Sequence, residues 1–141
     1  MFYSPRGLNQ FENNALDNIT AQKLLEILVS GKSLSPFFTK TGIQKIGIAP
    51  FNHFTECIVR MISKDVDIVA IADKNHKKFP QGYKSIPVVP YDELAVMETD
   101  AVIITSSIYQ NDIIDTLMSF SFPLERIVGL NTIVFGLERM K

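Results

Sequence analysis

The chain has 141 residues, of which 46% are hydrophobic and 21% charged, with a formal net charge of −1. That is room for one compact domain with a buried core, and the near-neutral balance gives no global attraction to nucleic acid or an anionic membrane. The longest apolar runs are about five residues, far short of the ~18 that span a bilayer, and the lone Cys57 permits no internal disulfide.

The opening Met1-Phe2-Tyr3-Ser4-Pro5-Arg6 has no basic stretch followed by an apolar core, so no secretory signal is expected. With a single cysteine this points to a reducing compartment, and a cytoplasmic location is the expectation. Residues 1–18 are polar and turn-rich, with Asn9, Asn13, Asn14 and Asn18 and no clean period. Over 20–30, Ala21, Leu24, Leu25, Ile27 and Leu28 form a helical stripe that Asn18 or Thr20 can cap and Gly31 can stop. Pro36 early and Gly42 late make 35–42 a short helical turn. Residues 1–42 are therefore expected as an N-terminal helical extension, with Phe37 and Phe38 exposed and available to a second copy or a partner enzyme.

From residue 43 strand and helix alternate. Residues 46–49 form a first strand, and Phe54, Cys57, Ile58, Met61 and Ile62 place the buried stripe of a helix over 52–63, with Cys57 in the core. A continuous apolar strand at 68–72 has the character of one covered on both faces. A lysine-rich loop follows over 73–85, then a short strand at 86–89 that Pro87 assigns to an edge or an end. A short helix over 91–97, a strand at 101–105, a helix over 111–120 and a last strand at 126–130 complete the series. The tail at 132–140 has no assigned shape.

Such alternation implies parallel strands joined by right-handed crossovers, with helices on both faces. The expected architecture is α/β: a three-layer Rossmann-like parallel sheet of about five strands, ordered 3-2-1-4-5, spanning 43–141.

Within it, 46–73 has the spacing of a first βαβ unit in a dinucleotide-binding sheet, with Asp73 standing where an acid would meet a ribose. The turn between those elements, Ala49-Pro50-Phe51-Asn52-His53-Phe54, contains no glycine. A side chain where glycine permits close backbone approach obstructs a pyrophosphate, and Pro50 removes an N–H donor. The degenerate turn argues against ordinary NAD(P) binding and leaves the cofactor unknown.

Ligands in open α/β sheets settle at the carboxyl ends of the strands, where the winding reverses. The residues expected there are Pro50, Asn52, His53 and Asp73, with Thr105, Ser106, Ser107 and Tyr109 across the crevice. Asn52 can cap the following helix, whose dipole would attract an anion. Each residue also has a structural reading: Asn52 as a cap alone, His53 as an exposed side chain, Asp73 as the opener of an Asx-type turn. Lys74, His76, Lys77, Lys78 and Lys84 could hold phosphates or form a solvated loop, and are too short and too poor in aromatics for nucleic acid.

No catalytic set is legible. Ile113 stands four residues after Tyr109, so a Tyr-x-x-x-Lys pair is absent, as are a nucleophile elbow, a P-loop and metal-ligand spacing.

The phrases Gly42-Ile43-Gln44-Lys45-Ile46-Gly47-Ile48, Ile71-Ala72-Asp73-Lys74-Asn75, Ile86-Pro87-Val88-Val89-Pro90-Tyr91-Asp92-Glu93-Leu94 and Thr99-Asp100-Ala101-Val102-Ile103-Ile104-Thr105 occur in this order. Together they resemble the small Rossmann-like domains of bacterial surface-polysaccharide and sugar-nucleotide modifying proteins. Among these are the N-terminal domains of sugar acyltransferases and the accessory domains of glycosyltransferases. The resemblance covers roughly 42–130, and it implies a nucleotide or sugar-nucleotide ligand. Where that family's turn carries three glycines, this chain has Ala49 and Phe54 at the first and last positions.

The expectation is a non-catalytic module binding a small ligand or a partner in surface-carbohydrate or sugar-nucleotide metabolism. Two others stand beside it. One is a structural dimerisation protein working through the N-terminal helices. The other is an NAD(P)-dependent sugar-nucleotide oxidoreductase, with Asp73 on the ribose and Tyr109 as acid.

Overall fold

The structure, a computed structural model, describes residues 10–139. Its elements are α1 (Gln10–Val29), α2 (Ser35–Thr41), β1 (Lys45–Ala49), α3 (His53–Ile62), β2 (Asp67–Ala72), β3 (Val88–Val89), α4 (Tyr91–Val96), β4 (Ala101–Ile104), α5 (Gln110–Ser119), β5 (Ile127–Gly129) and α6 (Leu130–Arg139). The strands form one sheet, all parallel, in the order β3-β2-β1-β4-β5. The Rossmann-like arrangement and its strand order are those read from the alternation of elements.

The period of two along each strand sorts residues to the two faces. Ile46 and Ile48 of β1, Ile71 of β2 and Ile103 of β4 enter the core shared with α2, α3 and α6. Ala49, Ala70, Ala72, Val102 and Ile104 face the second core, made with α4 and α5. The residues that β1 and β2 turn towards α4 are therefore small, and the helix approaches closely. A Cβ built on Gly47 would lie 2.7 Å from Leu94 Cδ1, so the absence of a side chain there makes the packing possible.

Residues 10–42 of the expected extension are continuous with this core, and residues 1–9 lie outside the described residues. Leu24, Leu34, Phe37 and Phe38 are buried in the same cluster as Ile46 and Ile58. Two expectations are corrected here. Phe37 and Phe38 are 8% and 4% exposed and pack edge to face with ring centroids 5.4 Å apart, so they are not a free surface. Helix α1 runs from Gln10, within the stretch read as turn-rich, and its inner face carries Asn13, Thr20 and Leu24, whereas Leu25 and Leu28 point outward. Polar residues satisfied on the inner face removed the apolar period from which a helix is recognised. Glycine at the end of α2 behaves as read: Gly42 is left-handed (φ 72°) and its N–H closes onto Phe38 O.

Three smaller differences follow from packing. Up to Arg139, the last described residue, the tail without assigned shape belongs to α6, whose Ile133 and Val134 are fully buried. On α3 the buried face is Thr55, Ile58, Val59 and Ile62, which leaves Cys57 exposed rather than in the core. The strand expected over 86–89 is reduced to Val88–Val89, preceded by an isolated bridge between Tyr83 and Ile86. Among the described residues no helix is long and apolar enough to cross a membrane.

Candidate functional site

The carboxyl ends of β1, β2 and β4 converge on the turn 50–52, which enters α3 after a cis Ala49–Pro50 peptide. Asn52 is extended and caps α3, its Oδ1 accepting from the Thr55 N–H at 2.9 Å. Beneath the turn, the buried Thr105 Oγ1 donates to Pro50 O at 3.1 Å and lies 3.1 Å from Thr55 Oγ1, which itself bonds Pro50 O. The carbonyl and the hydroxyls thus tie β4 to the turn.

Asp73, only 8% exposed at the end of β2, serves the same turn. Its Oδ2 accepts from the Phe51 N–H at 2.9 Å, and its Oδ1 accepts from the Asn75 N–H at 2.7 Å, an Asx-type turn. Phe51 in turn lays its ring against Phe79 (centroids 4.6 Å) and Tyr83 (5.1 Å). The loop after β2 is pinned across the side of the turn by these rings. Amides and aromatic volume that a glycine turn would leave for pyrophosphate are engaged within the chain.

Beside the turn, on the side of α4 and α5, lies a cavity of about 360 Å³. Pro50, Asn52, Asp73, Ser106 and Tyr109 line it, as the sequence suggested. His53, Thr105 and Ser107 do not. His53 is fully exposed with Nδ1 3.3 Å from Glu56 Oε2. Thr105 is buried under the turn. Ser107 is buried, its N–H donating to Asp17 Oδ1 and its Oγ accepting from Asn131 Nδ2, both at 2.9 Å.

The cavity also takes in Tyr91, Asp112 and Thr116, which sequence reasoning missed. Tyr109, Asp112 and Thr116 share one face of the start of α5 at helical spacing, a signal that becomes readable only once the sheet order puts that face at the reversal of winding. Tyr91 follows β3, and its hydroxyl pKa is pushed well above the ordinary value, first by burial and then by the negative charge of Asp73. The phenol therefore stays protonated and can both donate and accept. Asp73 and Asp112 give the cavity an acidic character against Lys74. Its size lies in the range of small-molecule sites.

The segment that forms this sheet and its crevice, residues 44–128, matches a family described as C2185-like, N-terminal. The chain belongs to that family. The C2185-like segment begins just before β1 and ends within β5, leaving α1, α2 and α6 outside the match. No curated protein matches the chain. The C2185-like assignment carries no link to sugar acyltransferases or glycosyltransferase accessory domains.

Proposed function

We propose that the chain is a non-catalytic binding module that takes a small hydroxylated ligand, of the sugar or sugar-nucleotide class, in the crevice beside Asp73. The observation that carries this reading is the character of the lining: Asp73, Asp112, Ser106, Tyr91 and Tyr109 around about 360 Å³, next to a turn whose Phe51 amide is already taken by Asp73. Carboxylates and hydroxyls accept from and donate to ligand hydroxyls, and tyrosine rings offer apolar faces for a sugar ring. Two acids at the mouth oppose a bare phosphate. A ligand would thus be held by its hydroxylated part, with any phosphate directed outward. The sequence resemblance to domains of surface-carbohydrate proteins supports the same class. Lack of catalysis is supported by the sequence, in which Ile113 replaces the lysine that a Tyr109-based reductase pair would need.

Calorimetric titration with UDP-sugars, free hexoses and NADH tests the proposal. Sugar-bearing ligands are expected to bind and to lose about tenfold in affinity in Asp112→Ala, the loss of roughly one charge-assisted hydrogen bond. Binding of NADH with no binding of sugars would overturn the ligand class. Turnover of a sugar nucleotide by the chain would overturn the non-catalytic part.

A further inference from the structure

Helix α1 places polar residues where it meets the body and large apolar ones where it meets solvent. Asn13 and Thr20 are buried on the inner face, and Asp17 reaches the Ser107 N–H from it. On the opposite face Phe11, Leu25 and Val29 are 81%, 60% and 80% exposed. A helix that turns such side chains away from its own protein has a surface built for another one.

The spacing on that outer face is specific. Phe11, Ala15, Asn18, Gln22, Leu25 and Val29 follow at alternating steps of four and three, the seam of a two-stranded coiled coil, and all six are exposed. The seam is apolar at both ends and carries two amides, Asn18 and Gln22, in its middle layers. The exposed Ile19, Ala21 and Leu28 flank it and widen the apolar surface beside those amides. Polar residues inside a seam set register, because they are satisfied only when they meet polar partners. A slip of one heptad would set Asn18 against the partner's Leu25 and Gln22 against the partner's Val29. We propose that α1 pairs in parallel with α1 of a second copy of this chain, with Asn18 facing the partner's Asn18 and Gln22 the partner's Gln22.

Three arguments select that occupant. The first is charge. In an antiparallel pair, Glu12 would lie beside the partner's Glu26, whereas the parallel pair sets Asn14 against the partner's Ile19 and Ala21 against the partner's Glu26, with no like charges opposed. The second is area. The helix has 20 residues and so runs about 30 Å. Pairing along that length covers on the order of 700 Å² per chain, close to the ~800 Å² per partner of a standard specific interface. The third is shape. The seam is diametrically opposite the inner face, so the two bodies lie on the far sides of the helix pair. None of the seam residues lines the crevice. Two amide layers among six make the pairing a modest one, populated at tens to hundreds of micromolar, roughly 5–6 kcal/mol of association.

Sedimentation equilibrium of the full chain from micromolar to hundreds of micromolar tests the pairing. The wild type is expected to shift from one to two chain masses, while Leu25→Glu remains a monomer throughout with an unchanged far-UV spectrum. Val29→Lys is the second variant, and it decides the matter should Leu25→Glu fail to fold. A wild type that stays monomeric, or a dimer that persists in the folded variants, overturns the proposal. Orientation is read separately, in a Cys57→Ser background, from Asn18→Cys. Oxidation is expected to give a disulfide-linked dimer, and its absence in a chain that still dimerises would overturn the parallel register.

Discussion

The Phe51 N–H donates to Asp73 Oδ2 at 2.9 Å across 22 positions of sequence. An acid at the end of a second strand in a dinucleotide-binding sheet would address the ligand's ribose. Here it addresses the chain's own turn, so the end of β2 holds the mouth of α3 in place. In this chain a turn without glycine occurs together with an acid committed to the backbone of that turn.

Removing this carboxylate leaves the Phe51 and Asn75 amides without their acceptor. Asp73→Ala is expected to destabilise the fold by about 2 kcal/mol, the cost of orphaning partly buried donors. Asp73→Asn, which keeps one acceptor oxygen, is expected to lose less. Urea denaturation gives the ranking, and faster exchange of the Phe51 amide would locate the loss. Equal stability of all three chains would show that the latch is energetically idle.

The cap of α3 makes a milder prediction. Asn52→Ala removes the acceptor of the Thr55 N–H, at a cost of about 1 kcal/mol, whereas Asn52→Asp should be close to neutral because aspartate caps equally well. Thermal melts of the three chains give the order, and an aspartate variant melting below the alanine variant would contradict the assignment.

A methyl group on Gly47 would meet Leu94, which is fully buried against it. Gly47→Ala is expected to cost about 1 kcal/mol, at the low end for overpacking because the atom encountered is the far end of a side chain. Shortening that side chain tests the cause. Gly47→Ala with Leu94→Val should be less destabilised than the two single changes predict, a coupling read from a double-mutant cycle. Strict additivity would place the strain elsewhere.

Asp100 predicts a pH dependence. Its Oδ2 accepts from the Gln44 and Lys45 N–H groups, both at 2.9 Å, and these bonds hold its pKa below the ordinary 3.8. Because the folded value lies below the unfolded one, the stabilisation is fully present above pH 3.8 and disappears as pH falls through the lowered value. The stability gap between the wild type and Asp100→Ala should be widest near neutral pH and close progressively in acid. Since the group is largely exposed, the gap will be small and should shrink only slightly in salt, as the main partners are backbone amides. A gap independent of pH would mean that the carboxylate's charge contributes nothing.

Much of this architecture can be read without coordinates, because the signals are local. Ile46-Gly47-Ile48-Ala49 and Ile68-Val69-Ala70-Ile71-Ala72 are short apolar runs, the second continuous enough to mark a strand covered on both faces, Asn52 announces the start of α3, and Gly42 ends α2. The order 3-2-1-4-5 is that of a doubly wound sheet with helices on both faces, the arrangement such alternation leads one to expect. Tertiary structure alone decided the rest. Which way Phe37 and Phe38 point, whether Cys57 is inside, and whether the Asp73 carboxylate reaches the Phe51 amide depend on which surfaces remain to be covered once distant segments have met. The same holds for α1: its outward seam became visible only when Asn13, Asp17 and Thr20 proved to be its inner side, held against the body of the domain. Periodicity reports that a face exists. Only packing against residues far away in sequence decides what that face covers, because burial and hydrogen-bond satisfaction are settled jointly by all the elements that compete for it.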